Sequence, residues 1–371
     1  MIVKSLKLKN FRNYDLLNLE FDPSTNIFYG DNAQGKTNIL ESIYLSGTTK
    51  SHRGTKDRDM IQFGRDEAHI ETIVEKRGIP FKIDIHLKKN SPKGIAINKI
   101  PIKKASELFG IINIVFFSPE DLNIIKNGPA ERRKFIDLEL AQLDKVYLSD
   151  LSNYNRIINQ RNKLLKDIYD RNDLMETLDI WDIQLATYGT RVMERRKLFI
   201  DQMNGIVGKV HEKLTGGKET LNLLYEPGLK CDSFEEALLR NRERDMKMKS
   251  TSVGPHRDDI CFMCGDLDIR KFGSQGQQRT AALSLKLAEI ELVKQEMKDT
   301  PILLLDDVLS ELDKHRQNYL LDSIRDVQTL ITCTGLEDFV SHRFSINKIL
   351  HVEQGHVVAN VKPQTAFFKT N

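Results

Sequence analysis

Cysteine is scarce: four in 371 residues, too few to form a disulfide framework. One close pair exists, Cys261-Phe262-Met263-Cys264. With no second such pair, a four-ligand zinc site lacks half its donors, so both thiols are expected to be structural. No run of 18 or more apolar residues occurs, and no membrane-spanning helix is expected. The first residues, Met1-Ile2-Val3-Lys4, enter a strand pattern with no basic segment followed by an apolar one. That makes cytoplasmic residence the expectation. Charge of one sign is not in excess either: 56 Lys and Arg face 53 Asp and Glu. By itself this balance does not argue for nucleic acid. What remains is ordinary for a globular chain, at a length that suggests two or three domains.

The charge is unevenly spread. Lys88, Lys89, Lys93, Lys99, Lys103 and Lys104 follow one another with no acid between. A second cluster runs from Arg240 to Lys249. Each reads either as a phosphate-contacting patch or as a solvated face.

The most informative stretch is Gly30-Asp31-Asn32-Ala33-Gln34-Gly35-Lys36-Thr37, the G-x-x-x-x-G-K-T pattern of a phosphate-binding loop. A short apolar strand, Asn26–Tyr29, precedes it, and Thr37–Tyr44 continues with helical spacing. Strand, glycine loop and helix together give the motif its mechanism. Gly30 and Gly35 let backbone N–H groups curl toward phosphate, and the helix N-terminus adds its positive dipole end. Lys36 is expected to reach the phosphates and Thr37 to hold Mg²⁺. No Asn-Lys pair (98, 162 or 347) is followed two residues later by Asp, which argues against a GTPase.

Before the loop, Ile2, Lys4, Leu6 and Leu8, then Leu17, Leu19 and Phe21, alternate with the period of half-buried strands, separated by a turn at Asn10–Tyr14. Strands return at 69–75, 81–87, 95–97 and 111–117. Ser118-Pro119-Glu120-Asp121 reads as a helix start. From Arg132 to Asp167 and from Leu174 to Leu214 apolar residues recur every three or four positions. This predicts two long helices joined at Asp170-Arg171-Asn172-Asp173, forming either an extended arm or a compact lobe, with the seam interrupted by Arg195-Arg196. A strand at 221–225, a basic helix at 233–248 and a hairpin of 260–264 with 267–272 follow.

Gly273-Ser274-Gln275-Gly276-Gln277-Gln278 opens a helix expected over 281–298. Locally, Ser274 with Gln277 has the form of a capping box. Next, Pro301-Ile302-Leu303-Leu304-Leu305-Asp306-Asp307 reads as a buried parallel strand with carboxylates at its C-terminal edge. Asp306 is placed to hold Mg²⁺ through water and Asp307 to polarise an attacking water. A further buried strand, Thr329–Thr332, leads to Cys333-Thr334. A small-molecule kinase does not account for the helix opened at Ser274. A scaffold whose nucleotide site is only a switch remains the rival to an enzyme in which turnover matters.

Phe11-Arg12-Asn13, Gly30–Asn38, Ser118–Asp121, Gly254-Pro255-His256-Arg257-Asp258-Asp259, Ser274–Thr280 and Leu303–Asp313, in this order, resemble the ABC-type ATPase heads of the Rad50 and SMC kind, and most closely the RecF family. The resemblance implies an α/β fold: an ABC-type head with a mixed P-loop sheet, built from residues 1–118 and 250–371, and an inserted helical lobe or arm over 119–249. It implies ATP and Mg²⁺, a homodimer formed on ATP, DNA bound at single-strand gaps, slow ATP hydrolysis, and RecO and RecR as partners. Arg12, Asn13, Asn32 and Asn38 would lie near the nucleotide. Ser274, Gln275, Gly276 and Gln277 would meet the ATP held by the other protomer. Two positions depart from the broad ABC pattern. The second acid, Asp307, is one methylene shorter than Glu, and Thr334 stands where a switch histidine is usual. Both imply slow turnover.

Overall fold

The computed structural model describes residues 1–167, 175–229, 233–336 and 347–361. The turn expected at Asp170–Asp173 lies outside them. In chain order the elements are β1 (Ile2–Phe11), β2 (Tyr14–Glu20), β3 (Thr25–Tyr29), α1 (Lys36–Thr48), β4 (Glu67–Lys76), β5 (Ile79–Lys88), β6 (Ser91–Ile97), β7 (Ile100–Pro101), β8 (Ile114–Phe117), α2 (Leu122–Lys126), α3 (Pro129–Leu143), α4 (Lys145–Asp167) and α5 (Met175–Thr215). Then come β9 (Leu221–Glu226), α6 (Phe234–Met248), β10 (Asp259–Cys264), β11 (Leu267–Asp268), α7 (Ile269–Phe272), α8 (Gln275–Met297), β12 (Ile302–Asp306), α9 (Lys314–Ser323), β13 (Thr329–Cys333), β14 (Lys348–Glu353) and β15 (His356–Val361). No helix among the described residues is long and apolar enough to cross a membrane.

Two compact units divide the chain: Met1–Asp121 with Glu289–Asn371, and Leu122–Ala288. The second runs past residue 249 because β9 pairs with β10 along its whole length, Leu221 opposite Cys264 and Glu226 opposite Asp259.

The first unit holds two sheets. One is antiparallel, in the order β2-β1-β4-β5-β6-β7. The other has the order β15-β14-β3-β13-β12-β8, parallel from β14 to β8 with β15 antiparallel at its edge. Such parallel strands are buried on both faces, hence the unbroken aliphatic run of β12. Helix α1 touches β4 and β5 of the first sheet and β8, β12 and β13 of the second. That explains why it is buried nearly all round rather than along one stripe. At Gly47 an added Cβ would lie 2.6 Å from Ile114 Cδ1, so glycine sets the spacing of α1 and β8.

The second unit packs α4 against α5 and α6 around Tyr154, Ile158, Leu185, Met193, Phe234 and Leu238. The first long helix expected from the sequence is two helices. Asp144 leaves helical geometry (φ −135°), and its carboxylate accepts from the amides of Val146 and Tyr147 at 2.8 and 3.1 Å. It thereby ends α3 and caps α4. The expected strand at 267–272 stops after two residues, because Asp268 caps α7 by accepting from Arg270 N–H. Helix α8 starts six residues earlier than expected, and Ser118 opens only a 3-10 turn, Pro119–Asp121, before the short α2.

Arg196, the break in the amphipathic seam, is 2% exposed. Its guanidinium donates to Pro255 O at 2.6 Å, Asp258 Oδ2 at 2.7 Å and Asp137 Oδ1 at 2.7 Å. Asp258 also takes the Tyr225 hydroxyl and Gly228 N–H. Asp259 takes Arg132 and Arg270, and His256 pairs with Tyr154. Within the Gly254–Asp259 motif, Asp258 and Asp259 are therefore the centre of a polar knot in which both carboxylates have cationic partners, as burial requires, while Arg257 is exposed.

Candidate nucleotide site

The P-loop is shaped by three left-handed residues. Gly30 (φ 148°) and Gly35 (φ 114°) flank Ala33 (φ 63°). A Cβ on Gly30 would stand 2.3 Å from Val352 O, and one on Gly35 2.5–2.8 Å from the Asn13 amide and Tyr14 hydroxyl. Both positions are closed to side chains. Lys36, 4% exposed, turns its ammonium back onto the loop, donating to Gly30 O at 2.6 Å and Asp31 O at 2.9 Å. Those carbonyls hold the cation over the loop. Asn32 is exposed at the crest.

Thr37 donates its hydroxyl to Asp306 Oδ1 at 2.8 Å. Strand β13 lies between β3 and β12, and it contributes Thr332. The Thr332 hydroxyl donates to the same Asp306 oxygen at 2.7 Å and accepts from Asp307 N–H at 3.0 Å. Burial pushes the Asp306 carboxyl up, a tendency opposed by its hydrogen bonds to Thr332 and Thr37 and reinforced by neighbouring Asp307. A hydroxyl and a carboxylate converging beside a phosphate loop form the hard-oxygen donor set that suits Mg²⁺. Asp307 sits at φ 52°, a conformation that costs a non-glycine residue about 1–2 kcal/mol and concentrates at working sites.

Arg12 and Asn13 form the β1–β2 turn, with Arg12 at φ 54°. Arg12 makes a two-pronged bond to Glu41 at 2.6 and 2.8 Å and reaches Thr55 Oγ1 and Asp59 O. Burial would raise the fully buried Glu41, but the Arg12 and Ser51 hydrogen bonds with the Arg12 and Arg53 charges outweigh it and hold the carboxyl below the ordinary range. Asn13 donates to Gln34 O at 2.9 Å and accepts from Asn38 at 2.8 Å, while Arg53 donates to Asn38 at 3.2 Å. Beside this chain opens a cleft of about 790 Å³ lined by Arg12, Asn13, Asn38, Arg53, Arg58, Arg65, Lys89 and the fully exposed Phe63, with Asp59 as the one acid among its lining residues.

Sequence reasoning missed Glu41, Thr332 and the hairpin of β14 and β15. The Gln354-Gly355 turn of that hairpin donates two amides to Gln34, at 2.6 and 3.1 Å, and so fixes the crest of the P-loop. The available signal was Ile349, Leu350 and Val352 running into a Gln354-Gly355 turn. Of the six-lysine run, Lys88, Lys89, Lys99, Lys103 and Lys104 are exposed. Lys93 is instead an anchor, donating to Thr49 O at 2.5 Å and Asp57 at 2.9 Å.

Ser274, Gln275, Gly276 and Gln277 belong to the second unit. Ser274 Oγ accepts from Gln277 N–H at 3.2 Å and Gln277 Oε1 from Ser274 N–H at 2.9 Å, the reciprocal capping box. Ser274, Gln275 and Gly276 are exposed. A Cβ on Gly276 would meet only Ser274 Oγ, at 3.9 Å.

The sequence matches the RecF/RecN/SMC N terminal domain family over residues 2–357. It is 64% identical over 357 residues to the DNA replication and repair protein RecF of Agathobacter rectalis, covering 96% of this chain and 99% of that one. The chain belongs to the RecF family. The RecF of Lachnoclostridium phytofermentans is 60% identical over a similar span. Among solved structures, the recombination mediator protein RecF with ATP, of the RecFOR pathway, superposes with a TM-score of 0.90 at 34% identity over 97% of both chains. The Smc head domain of Pyrococcus furiosus shares the fold, with a TM-score of 0.58 at 16% identity and coverage of 98% and 97%. The RecF-family fold is thus an ABC-type α/β head with a mixed P-loop sheet and a helical insertion.

Proposed function

We propose that this RecF-family protein is an ATP-gated DNA-binding protein of recombinational repair. The observation that carries the reading is the convergence of Thr37 and Asp306 at 2.8 Å beneath a glycine-shaped phosphate loop. ATP enters along the cleft, its phosphates over Gly30–Lys36 and its nucleoside toward Arg12, Asn13 and Asn38. Lys36 exchanges the Gly30 and Asp31 carbonyls for phosphate oxygens. Thr37, and Asp306 through water, would hold Mg²⁺, which neutralises phosphate charge. Asp307 orients the attacking water.

The signature is read in trans. Glycine at a helix start costs up to about 1 kcal/mol against alanine, and nothing around Gly276 in the described chain needs it. A phosphate brought by a second copy of the chain supplies the need. ATP therefore closes a homodimer with Ser274, Gln275, Gly276 and Gln277 of each copy on the other's nucleotide. Closure pairs two basic surfaces, with Lys88, Lys89, Lys103 and Lys104 the exposed candidates on each. Duplicated phosphate contacts make DNA binding steeply salt-dependent. Slow hydrolysis reopens the dimer. The relatives' name, DNA replication and repair protein RecF, supports DNA as target, and the RecFOR context of the solved RecF supports RecO- and RecR-type proteins as partners; a preference for gapped DNA rests on the family resemblance.

Equilibrium binding to duplex and gapped DNA, with no nucleotide, ADP or a non-hydrolysable ATP analogue, at two salt concentrations, tests the reading. Tight, salt-sensitive binding with the ATP analogue alone is expected. Binding that ignores nucleotide would place the DNA site in the monomer and leave ATP to partner exchange.

A further inference from the structure

The two thiols of Cys261-Phe262-Met263-Cys264 cannot hold one ion together. In an extended strand, residues three apart face opposite sides. Cys261 turns to Met263, the two sulfurs 3.4 Å apart. Cys264 ends β10 opposite Leu221, which brings it to Glu219 just before β9 and to His211 near the end of α5. A ring nitrogen of His211, a carboxylate oxygen of Glu219 and the Cys264 sulfur all lie within 4.8 Å of one another.

Ser284 fixes the histidine's tautomer. Its single hydroxyl proton goes to Thr280 O at 2.7 Å, so toward His211 Nδ1, 2.9 Å away, the oxygen can only accept. Nδ1 therefore carries hydrogen. In the neutral ring, Nε2 then presents a lone pair toward Glu219 Oε2, 3.5 Å away. A lone pair facing a carboxylate calls for a positive centre between them, either a proton or a metal ion. His211 is 1% exposed, so it is held in this orientation by its surroundings.

We propose that His211 Nε2, Glu219 Oε2 and Cys264 Sγ form a binding site for a borderline-soft divalent cation of the zinc class, with its fourth position open. Nitrogen, oxygen and sulfur donors are the zinc set. A ligating histidine whose other N–H is held by a fixed acceptor is the usual outer-shell arrangement. Ligands bound tetrahedrally at about 2.0–2.3 Å stand roughly 3.4 Å apart, the spacing the His211–Glu219 pair already has. The half-buried Cys264 closes the remainder by side-chain rotation.

The site bears on the signature through one residue. Glu219 Oε1 accepts from Gln277 Nε2 at 3.0 Å, and Gln277 closes the box with Ser274. An ion on one Glu219 oxygen fixes the other under Gln277. The metal site itself stands whether or not the signature meets nucleotide.

The full-length protein, stripped with chelator, is titrated with Co²⁺ and then Zn²⁺. One Co²⁺ per chain is expected, with thiolate-to-cobalt charge-transfer absorption in the near ultraviolet, displaced by Zn²⁺. Cys264→Ser should lose that band and bind Zn²⁺ at least about 100-fold more weakly. Ser284→Ala, which removes only the outer partner, should weaken binding roughly 10- to 100-fold. Thermal unfolding of the metal-free variants, matched to metal-free wild type, shows that the fold is kept. No thiolate band in the wild type, or unchanged Zn²⁺ affinity in Cys264→Ser, overturns the site and leaves a proton between His211 and Glu219.

Discussion

Thr37 and Asp306, 269 positions apart in sequence, share a hydrogen bond of 2.8 Å. The bond ties the first residues of α1 to the end of β12, and Thr332 of β13, the strand next to β12, binds the same carboxylate oxygen. The phosphate loop and the acidic strand are thus one polar unit before any ligand arrives, and the loop's lysine is the movable part.

Lys36→Met should remove that part while leaving the fold. Losing one partner of a desolvated charge contact costs about 2–5 kcal/mol, so ATP affinity measured by calorimetry should fall roughly 30- to several-thousand-fold. ATP-stabilised dimers should disappear from size-exclusion profiles. Normal dimers would remove the nucleotide from the P-loop.

Gly276→Ala separates the chain's own needs from those of a partner. The position is open and helical, so the free protein should gain a few tenths to about 1 kcal/mol in denaturant unfolding. ATP-dependent dimerisation should weaken, and Ser274→Arg should abolish it with nucleotide binding by the single chain intact. Loss of ATP binding by the monomer in either variant would refute the arrangement in trans.

Asp307 combines a catalytic assignment with a left-handed backbone. Asp307→Gly should stabilise the fold by about 1 kcal/mol and lose turnover. Asp307→Asn, which tolerates the same φ, should hold the ATP-bound dimer and slow phosphate release. Unchanged turnover in both would take the catalytic role from this residue.

The Arg12–Glu41 fork predicts a pH dependence. Glu41 is held below its ordinary value in the fold, so its contribution is fully present above about pH 4.3 and is lost as pH falls through the depressed folded value. Asp306, pushed up by burial, acts oppositely: its charge costs stability at neutral pH, and protonation relieves that cost. Arg12→Ala removes the main cationic partner of a buried carboxylate, leaving it Ser51 and Arg53, and should cost up to about 3 kcal/mol near pH 7. The gap from wild type should narrow in acid, as followed by urea unfolding at each pH. A gap independent of pH would show that the fork matters only by packing.

The nucleotide-binding half of the head was legible because its signals are local. A glycine loop between strand and helix, and an aliphatic run ending in two acids, each carry their meaning in a few consecutive residues. Long-range partners were not legible. Thr332 is one of several threonines until β13 is placed between β3 and β12, and Glu41 reads as a helix-surface acid until Arg12 arrives from the β1–β2 turn. The same holds for Arg196, a break in the helix pattern that becomes a buried anchor once Asp137 and Asp258 surround it. The split at Asp144 was missed because α3 and α4 keep the same apolar rhythm across one non-helical residue. Lys93 counted as part of a basic patch by sequence, yet its ammonium is spent on Thr49 and Asp57.

Strand order in the parallel sheet also sets a timetable for the growing chain. β3 and β8 leave the ribosome early, but the places between them belong to β12 and β13, made some two hundred residues later. Until then the N-terminal segment carries two buried-type strands with open edges, the kind that pair with wrong partners. Leu122–Ala288, continuous in sequence, can finish folding while those edges wait. Chaperone capture during synthesis should therefore peak on the N-terminal segment, fall once β12 and β13 have emerged, and end when β14 covers the other edge of β3.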